Sequence, residues 1–337
     1  MTRLNEKDII GLFSSRLRIN RIIKHGNDDV VVLPLKDIAN HFNCSRSAAV
    51  VLKSDMLVQS TDVPPNMRPW QIARKSVVAC ISDMSAKGIC PPYLCLISIG
   101  IPSTFSRAQI VDLIDGFHAA SREFGVKILG GDTNKSNELV INCNLVRLLP
   151  DDVHVPKRSG ARPGDIVVSS GEFGYSSCGL KILMNNAKAK GWFRRIAIQS
   201  VTRPNPQQRF GVSMANFFSS SIDSSDGLAA SMYELARQSE VNLVIDSTPS
   251  ANGIQQFALD NALSARDLVF YGGEEYEIIA TIPKLNLETA RSLSRKLKLK
   301  LHVIGKVEKG DGKVIILDDE RKRVCLSDGG YVHKFHR

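Results

Sequence analysis

"ILGGDTNKSNELVINCNL", residues 128–145, closes one apolar run, sets Asp132 directly after Gly130 and Gly131, and opens a second apolar run a few residues later. Two glycines leave the backbone bare. A carboxylate there either sits in a solvated turn or belongs to a place where something must approach the main chain closely. Read alone, the stretch favours the turn, with "VKIL" and "ELVINCNLVRLL" as strands on either side. Its neighbours decide what kind of fold it belongs to.

Upstream, Ile110, Leu113, Ile114 and Phe117 recur at i, i+3, i+4, i+7, so residues 106–125 read as a helix that ends at Gly125. "PYLCLISIGI" (92–101) is apolar throughout and reads as a buried strand. Pro69 suits the first turn of a helix reaching about Lys87, and Gly88 closes it. Strands are expected at 48–58 ("AAVVLKSDMLV") and 29–35 ("DVVVLPL"), after an amphipathic helix at 6–18. Downstream, "PDDVHVPKRSGARPGD" (150–165) breaks every periodicity with its prolines and glycines, which places a domain boundary there. A second series follows. It has a strand at 165–170, helices near 175–190, 207–219 and 226–239, a strand at 241–246, and strands near 275–282 and 301–308 around a basic helix. The expectation is two α/β domains with mixed sheets, 1–150 and 151–337.

Composition narrows the class. The chain has 337 residues, 43% hydrophobic and 23% charged, which is ordinary for a globular protein. No apolar stretch approaches the ~20 residues of a membrane span, and the first residues lack the uninterrupted apolar core of a secretory signal, so the cytoplasm is expected and no membrane partner. Cysteines 44, 80, 90, 95, 143, 178 and 325 form no CxxC and read as small buried hydrophobes. The net charge of +10 raises the question of nucleic acid. Residues 284–337 hold 14 Lys or Arg against 7 Asp or Glu, hence +7 of that charge. In them Leu287, Ala290, Leu293 and Leu297 form an apolar stripe, while Arg291, Arg295, Lys296 and Lys298 lie mostly off it. No aromatic residues are interleaved to stack bases. A solvated helix face, and no nucleic-acid partner, is the expectation.

The acids carry the chemistry. Asp28 and Asp29 precede a strand, Asp55 interrupts "VVLKSDMLV", Asp83 interrupts "CISDMSAKG", Asp132 follows the two glycines, Asp223 and Asp226 stand in "SSSIDSSDGLAAS", and Glu274, Glu275 and Glu277 follow "FYGG". Singly, each has a structural role open to it: a turn, a helix cap by Ser225 with Asp226, or the wet face of an edge strand for Glu275 and Glu277. Asp55 and Asp83 lie in apolar surroundings, where an unpaired carboxylate is costly, and few Lys or Arg stand near them in sequence. Divalent cations would answer that need. Oxygen-only ligands suit Mg2+, and Mg2+ among many carboxylates suggests nucleotide phosphates. No Walker A motif and no protein-kinase set of motifs is present.

With these residues in view, the chain resembles the thiamine-monophosphate kinases, archaeal forms in particular. They form part of an ATP-binding superfamily with aminoimidazole ribonucleotide synthetase, selenophosphate synthetase and a hydrogenase maturation factor. The resemblance follows "GNDDVVVL", "KSDMLV", "QIARKSVVACISDMSAKGICP", "GGDTN", "KRSGARPGD", "SIDSSDGLAASM", "YGGEEYEII" and "GGYVHKF" in order. "SDMLV" and "GGEEYE" favour the thiamine branch. The resemblance implies an N-terminal α/β domain that pairs strands across a homodimer and a C-terminal α/β domain packed on it. It implies ATP and thiamine monophosphate as substrates, thiamine diphosphate as product, and several Mg2+ ions. By motif position, Asp29, Ser54, Asp55, Asp83, Asp132, Asp223 and Asp226 would hold metal. Gly131, Asp132, Arg158 and Ser225 would contact ATP. Glu274 and Tyr331 would lie beside thiamine, as would Asp62, which stands where the family often has histidine. No general base is assigned, because the acceptor is already a phosphate dianion. The alternative within the superfamily is ATP-dependent activation of an amide or carbonyl oxygen.

Overall fold

The computed structural model describes residues 11–12, 15–16, 40, 42, 48–150, 153–318 and 320–332. Gly11, Leu12, Ser15 and Arg16 are helical. The rest of the helix expected at 6–18 and the strand expected at 29–35, Asp28 and Asp29 with it, lie outside the described residues, as does Cys44. The chain divides into two compact units: one comprises residues up to Ile81 together with Cys90–Val153, the other Ser82–Ile89 together with the chain from His154 onward.

Among the described residues, the first unit is built on a four-stranded sheet. Its strands are β1 (Ala48–Val58), β2 (Tyr93–Pro102), β3 (Val126–Ser136) and β4 (Val140–Pro150), in the order β1-β4-β2-β3. Only β2 and β3 run parallel. A single helical turn, α1 (Gln59–Asp62), follows β1; α2 (Pro69–Ala86) and α3 (Arg107–Phe124) follow in turn. The ends of α3 are as the sequence specifies. Ser106 caps it in a reciprocal capping box with Gln109, and Gly125 ends it in the left-handed conformation. Along β4, Ile141, Cys143 and Leu145 are buried while Asn142, Asn144 and Val146 alternate with them toward the other face. The buried face meets α2, where the Cys80 thiol reaches the Cys143 carbonyl at 3.1 Å. The opposite face leaves Val50, Leu52, Met56 and Leu96 exposed.

One expectation is corrected here. "GGDT" is not a turn: β3 continues through Gly130, Gly131 and Asp132 to Ser136, and the reversal comes at residues 137–139. The reason is the register with β2, which shifts at Cys95 and Leu96 and then pairs Ile97 with Gly131 and Ser98 with Asp132. Gly131 adopts φ +156, and a Cβ there would stand 1.6 Å from the Ile97 carbonyl oxygen. The glycine is required by how closely two strands approach.

The second unit holds a seven-stranded mixed sheet. Its strands are β5 (Ile166–Ser169), β6 (Ser220–Asp223), β7 (Val241–Ile245), β8 (Ile278–Ile282), β9 (His302–Lys309), β10 (Val314–Leu317) and β11 (Arg323–Cys325), in the order β11-β10-β7-β9-β5-β8-β6. Seven helices accompany it among the described residues: α4 (Tyr175–Asn185), α5 (Gly191–Thr202), α6 (Gln208–Met214), α7 (Leu228–Ser239), α8 (Ile254–Asp260), α9 (Ala265–Phe270) and α10 (Leu287–Leu297). Both faces are covered, so neighbours along one strand enter different cores. Val167 and Ile279 pack with Phe173, Leu228 and Phe257, whereas Val168 and Ile278 pack with Phe210, Met214 and Ala290. The basic helix is α10: Ala290 is buried, while Arg295 and Lys296 are exposed. No described helix is long and apolar enough to cross a membrane.

Replacing Gly131 with alanine is expected to destabilise the first unit by on the order of 3 kcal/mol, since backbone rather than a flexible side chain must yield. Urea denaturation of Gly131→Ala beside wild type measures this, and a midpoint unchanged from wild type would contradict the close approach.

Candidate active site

In the second unit, three segments meet around the acids of "SIDSSDGL". β6 ends at Asp223, opposite Ile278 of β8. Beyond the strands the pairing continues: the Ser224 amide donates to the Glu277 carbonyl at 2.8 Å, the Tyr276 amide to the Ser224 carbonyl at 2.9 Å, and the Glu274 amide to the Ser225 carbonyl at 2.6 Å. The chain end closes on the same loop, where the Tyr331 amide donates to the Asp226 carbonyl at 2.9 Å. Backbone hydrogen bonds thus bring Asp223, Ser225, Asp226, Glu274 and Tyr331 together from three distant stretches. The Ser224 hydroxyl, buried in the same loop, has no hydrogen-bond partner among the described residues.

The helix that follows is capped by Gly227, with no side-chain cap. Capping is therefore not what Ser225 and Asp226 do. Gly227 has φ +118, and a Cβ on it would stand 3.2 Å from the carbonyl oxygens of Phe270 and Gly272. Asp226 and Ser225 are exposed, while Asp223 is buried.

The end of α2, which carries Asp83, is fastened to this group. The Ser82 hydroxyl donates to the Asp223 carboxylate at 2.7 Å, and the Ser221 hydroxyl donates to the Ala86 carbonyl at 2.6 Å. Lys87 donates from its ammonium to the Ser221 carbonyl. Burial, with the positive charge of Arg158 nearby, lowers the Lys87 pKa to about 8 against the pull of Asp223 and Asp83. Here the sequence reading needs correcting. A cation does stand near Asp83 in sequence, Lys87 at i+4 just past the end of α2, and that spacing is the signal. Arg158 is exposed and lies 3.5 Å from Glu234 of α7.

The first unit places its acids differently. Ser54 and Asp55 project to opposite faces of the sheet, as consecutive strand residues must. Met56, Asn142, Ser98 and Asp132 share one row, so Ser54 and Asp132 lie on the exposed face. The Ser54 hydroxyl donates to the Asn142 side chain at 3.0 Å. Asp55 belongs to the neighbouring row with Cys143, Ile97 and Gly131. Nor is Asp55 deeply buried: its side chain is 34% exposed and 3.4 Å from Lys53. Asp62 accepts the Val58 amide at 2.7 Å through its carboxylate and Lys75 through its carbonyl, which fixes the turn of α1.

Glu275 and Glu277 do not form the wet face of a strand, since β8 begins only at Ile278. Glu275 accepts the Gly174 and Ser176 amides at the start of α4, at 2.7 and 3.1 Å. Glu277 accepts Ser170 and, at 2.8 Å, Gln207. These anchors frame Glu274 and Tyr276, both held at positive φ (65 and 54).

The donors suit Mg2+ in kind, being carboxylate and hydroxyl oxygens. Among the described residues no group of three or more His, Cys, Asp or Glu is placed to hold a metal ion. Mg2+ does not need such a cage. It binds through one or two carboxylates, completing its shell with water and substrate phosphate. The residues fit that mode.

Comparison with known proteins defines first the class. Residues 27–146 match the AIR synthase related protein, N-terminal domain, and residues 162–318 match the corresponding C-terminal domain. The chain is 39% identical to the thiamine-monophosphate kinase of Nitrosopumilus maritimus (strain SCM1), over 99% of each. It is 30% identical to that of Pyrococcus horikoshii, over 99% of this chain and 100% of the relative. Its fold is shared with AaThiL complexed with AMPPCP and TMP (TM-score 0.74, 25% identity, 99% of each chain). It is shared also with the thiamine-monophosphate kinase of Stenotrophomonas maltophilia K279a (TM-score 0.76, 24% identity, 90% of this chain and 95% of that one). The chain belongs to the thiamine-monophosphate kinase family.

Burial pushes the Glu275 carboxyl up to about 8 and the Glu277 carboxyl up to about 7. An unfolded glutamate has lost its proton above about pH 4.3. Between there and pH 7–8 the folded chain therefore binds more protons than the unfolded one, and stability falls as pH rises. For Glu277 the loss is on the order of 3 kcal/mol. Urea denaturation at pH 5, 6, 7 and 8 should show the decline, and Glu277→Gln should flatten part of it. A variant that declines as steeply as wild type would contradict this assignment.

Proposed function

We propose that this chain transfers the γ-phosphoryl group of ATP in line to thiamine monophosphate, giving thiamine diphosphate and ADP, with Mg2+. The observation that carries the reading is the 39% identity to a thiamine-monophosphate kinase over 99% of both chains. The gathered acids of the second unit support it.

The chemical difficulty is the meeting of two polyanions rather than the making of a nucleophile. The acceptor phosphate is largely a dianion near neutrality, so no side chain has to remove a proton. Bound Mg2+ supplies positive charge between the phosphates. Asp83, Asp223 and Asp226 would hold the ions. Asp55, Asp132 and Ser54 would serve as further ligands, and Asp29 joins them on sequence resemblance. Gly131 would contact ATP through its backbone, and Ser225 would hydrogen-bond to ATP. Arg158 forks onto phosphate oxygens, exchanging its long contact with Glu234 for a bidentate one. Glu274 and Tyr331 flank thiamine. Asp62, with one carboxylate oxygen committed to Val58, offers the other to the substrate.

We propose further that the chain works as a homodimer. Val50, Leu52, Met56 and Leu96 present an apolar sheet face to water in the single chain, and such a patch favours a partner. Among the described residues β1 and β3 are the edges of the same sheet, and an edge strand can pair with a second copy.

Purified protein with ATP, Mg2+ and thiamine monophosphate is expected to yield thiamine diphosphate and ADP in equal amounts. ADP with inorganic phosphate, and no diphosphate ester, would overturn the reading. Asp223→Asn and Asp132→Asn should each lower kcat/KM by about a hundredfold or more with the fold kept by circular dichroism. Leu52→Glu should turn the dimer into a monomer in light scattering; an unaltered mass would remove that face from the interface.

A further inference from the structure

We propose that Cys90 is a peroxide-reactive thiol whose oxidised, anionic form is received by the buried guanidinium of Arg147. The inference is independent of the phosphoryl-transfer reading.

A guanidinium carries its charge wherever the fold puts it, and a buried one normally meets a carboxylate. Arg74, in the same unit, has the ordinary arrangement: its Nε and Nη2 both donate to the Glu123 carboxylate at 2.9 Å. Arg147 lacks such a partner among the described residues. It lies on the face of β4 that carries Cys143 and Leu145, and it is only 7% exposed. The Phe42 ring covers its guanidinium at 4.6 Å, Nη1 donates to the Phe42 carbonyl at 3.5 Å, and Nη2 donates to the Cys90 sulfur at 3.8 Å. Nε is buried with no hydrogen-bond partner among the described residues.

Nε and Nη2 share the edge of a guanidinium that forks onto a carboxylate, as on Arg74. On Arg147 that edge has a neutral sulfur against one donor and nothing against the other. Of the groups touching the guanidinium, only the sulfur can take on negative charge. Cys90 is also within reach of solvent: it is half-buried, whereas Cys80, Cys95, Cys143 and Cys178 are buried. Burial pushes the Cys178 thiol up to about 12, and contact with Cys143, then burial, raises Cys95. Partial exposure beside a fixed positive charge is the setting in which cysteine reacts.

The oxidant is a peroxide. The Cys90 sulfur gives up its proton and attacks one peroxide oxygen, so that an S–O bond forms and the O–O bond breaks. The departing hydroxide takes up a proton, leaving sulfenic acid and water, with sulfur oxidised and peroxide reduced. A second peroxide adds another oxygen in the same way and leaves a second water. The resulting sulfinic acid, once ionised, offers two oxygens to Nε and Nη2 as Glu123 does to Arg74.

The test treats the full chain with hydrogen peroxide, traps sulfenic acid with dimedone and reads each cysteine by peptide mass spectrometry. Cys325, which is exposed, is the internal control. Cys90 is expected to be trapped at least about threefold faster than Cys325; an equal or slower rate overturns the inference. Arg147→Met should remove that lead, and Arg147→Lys should keep part of it. A lead kept in full by Arg147→Met overturns the proposal as well. Should Arg147→Met fail to fold, Cys90→Asp and Cys90→Asn replace it. Cys90→Asp brings a carboxylate to Arg147 without oxidation and is expected to melt at a higher temperature than Cys90→Asn. Melting at or below Cys90→Asn would show that Arg147 does not receive an anion there.

Discussion

Bringing several carboxylates to one place sets the terms for the second unit. Each would be better solvated alone, and none attracts its neighbours. What holds Asp223, Asp226 and Glu274 in company is the backbone beneath them: amide-to-carbonyl bonds that prolong the β6–β8 pairing past the strand ends and draw in the chain at Tyr331. The cost of gathering charge is carried by main-chain hydrogen bonds that charge does not weaken. Side chains then refine the arrangement, with Ser82 on the Asp223 carboxylate and Lys87 on the Ser221 carbonyl.

Such a scaffold suits phosphoryl transfer between two anions. A reaction that needs no strong base can dispense with an activated nucleophile, and its demand falls on rigid positions for ligands. The flanking carboxyls Glu275 and Glu277 follow the same logic. Neither reaches for a ligand; they fix the loop that carries Glu274 by accepting the Gly174 and Ser176 amides and the Ser170 and Gln207 side chains.

Much of the fold was legible. The helix of residues 106–125 announced itself by period, by Ser106 and by Gly125, because periodicity and caps are local properties. β1 was legible for the same reason. β6 was not: "SSID" looks like a loop, yet all four residues are buried, with Ser220 satisfied by Thr281 and Ser221 by Ala86. A strand whose polar side chains find partners far off in sequence carries no hydrophobic signature. "GGDT" misled in the opposite sense, since glycine marks tight approach as well as turns, and only the register with β2 distinguishes the two.

Of the candidate site, the sequence by itself determined the cast: which acids stand at strand ends, which glycines lie beside them, and that nothing resembles a Walker loop or a catalytic base. These follow from residue type and local order. Tertiary structure alone decided the company each acid keeps. Ser54 and Asp55 part to opposite faces because strand residues alternate, Asp223 meets Ser82 because β6 packs against the end of α2, and Glu274 reaches Ser225 through pairing across some fifty residues. Non-local hydrogen bonds make those choices, and a linear reading has no access to them.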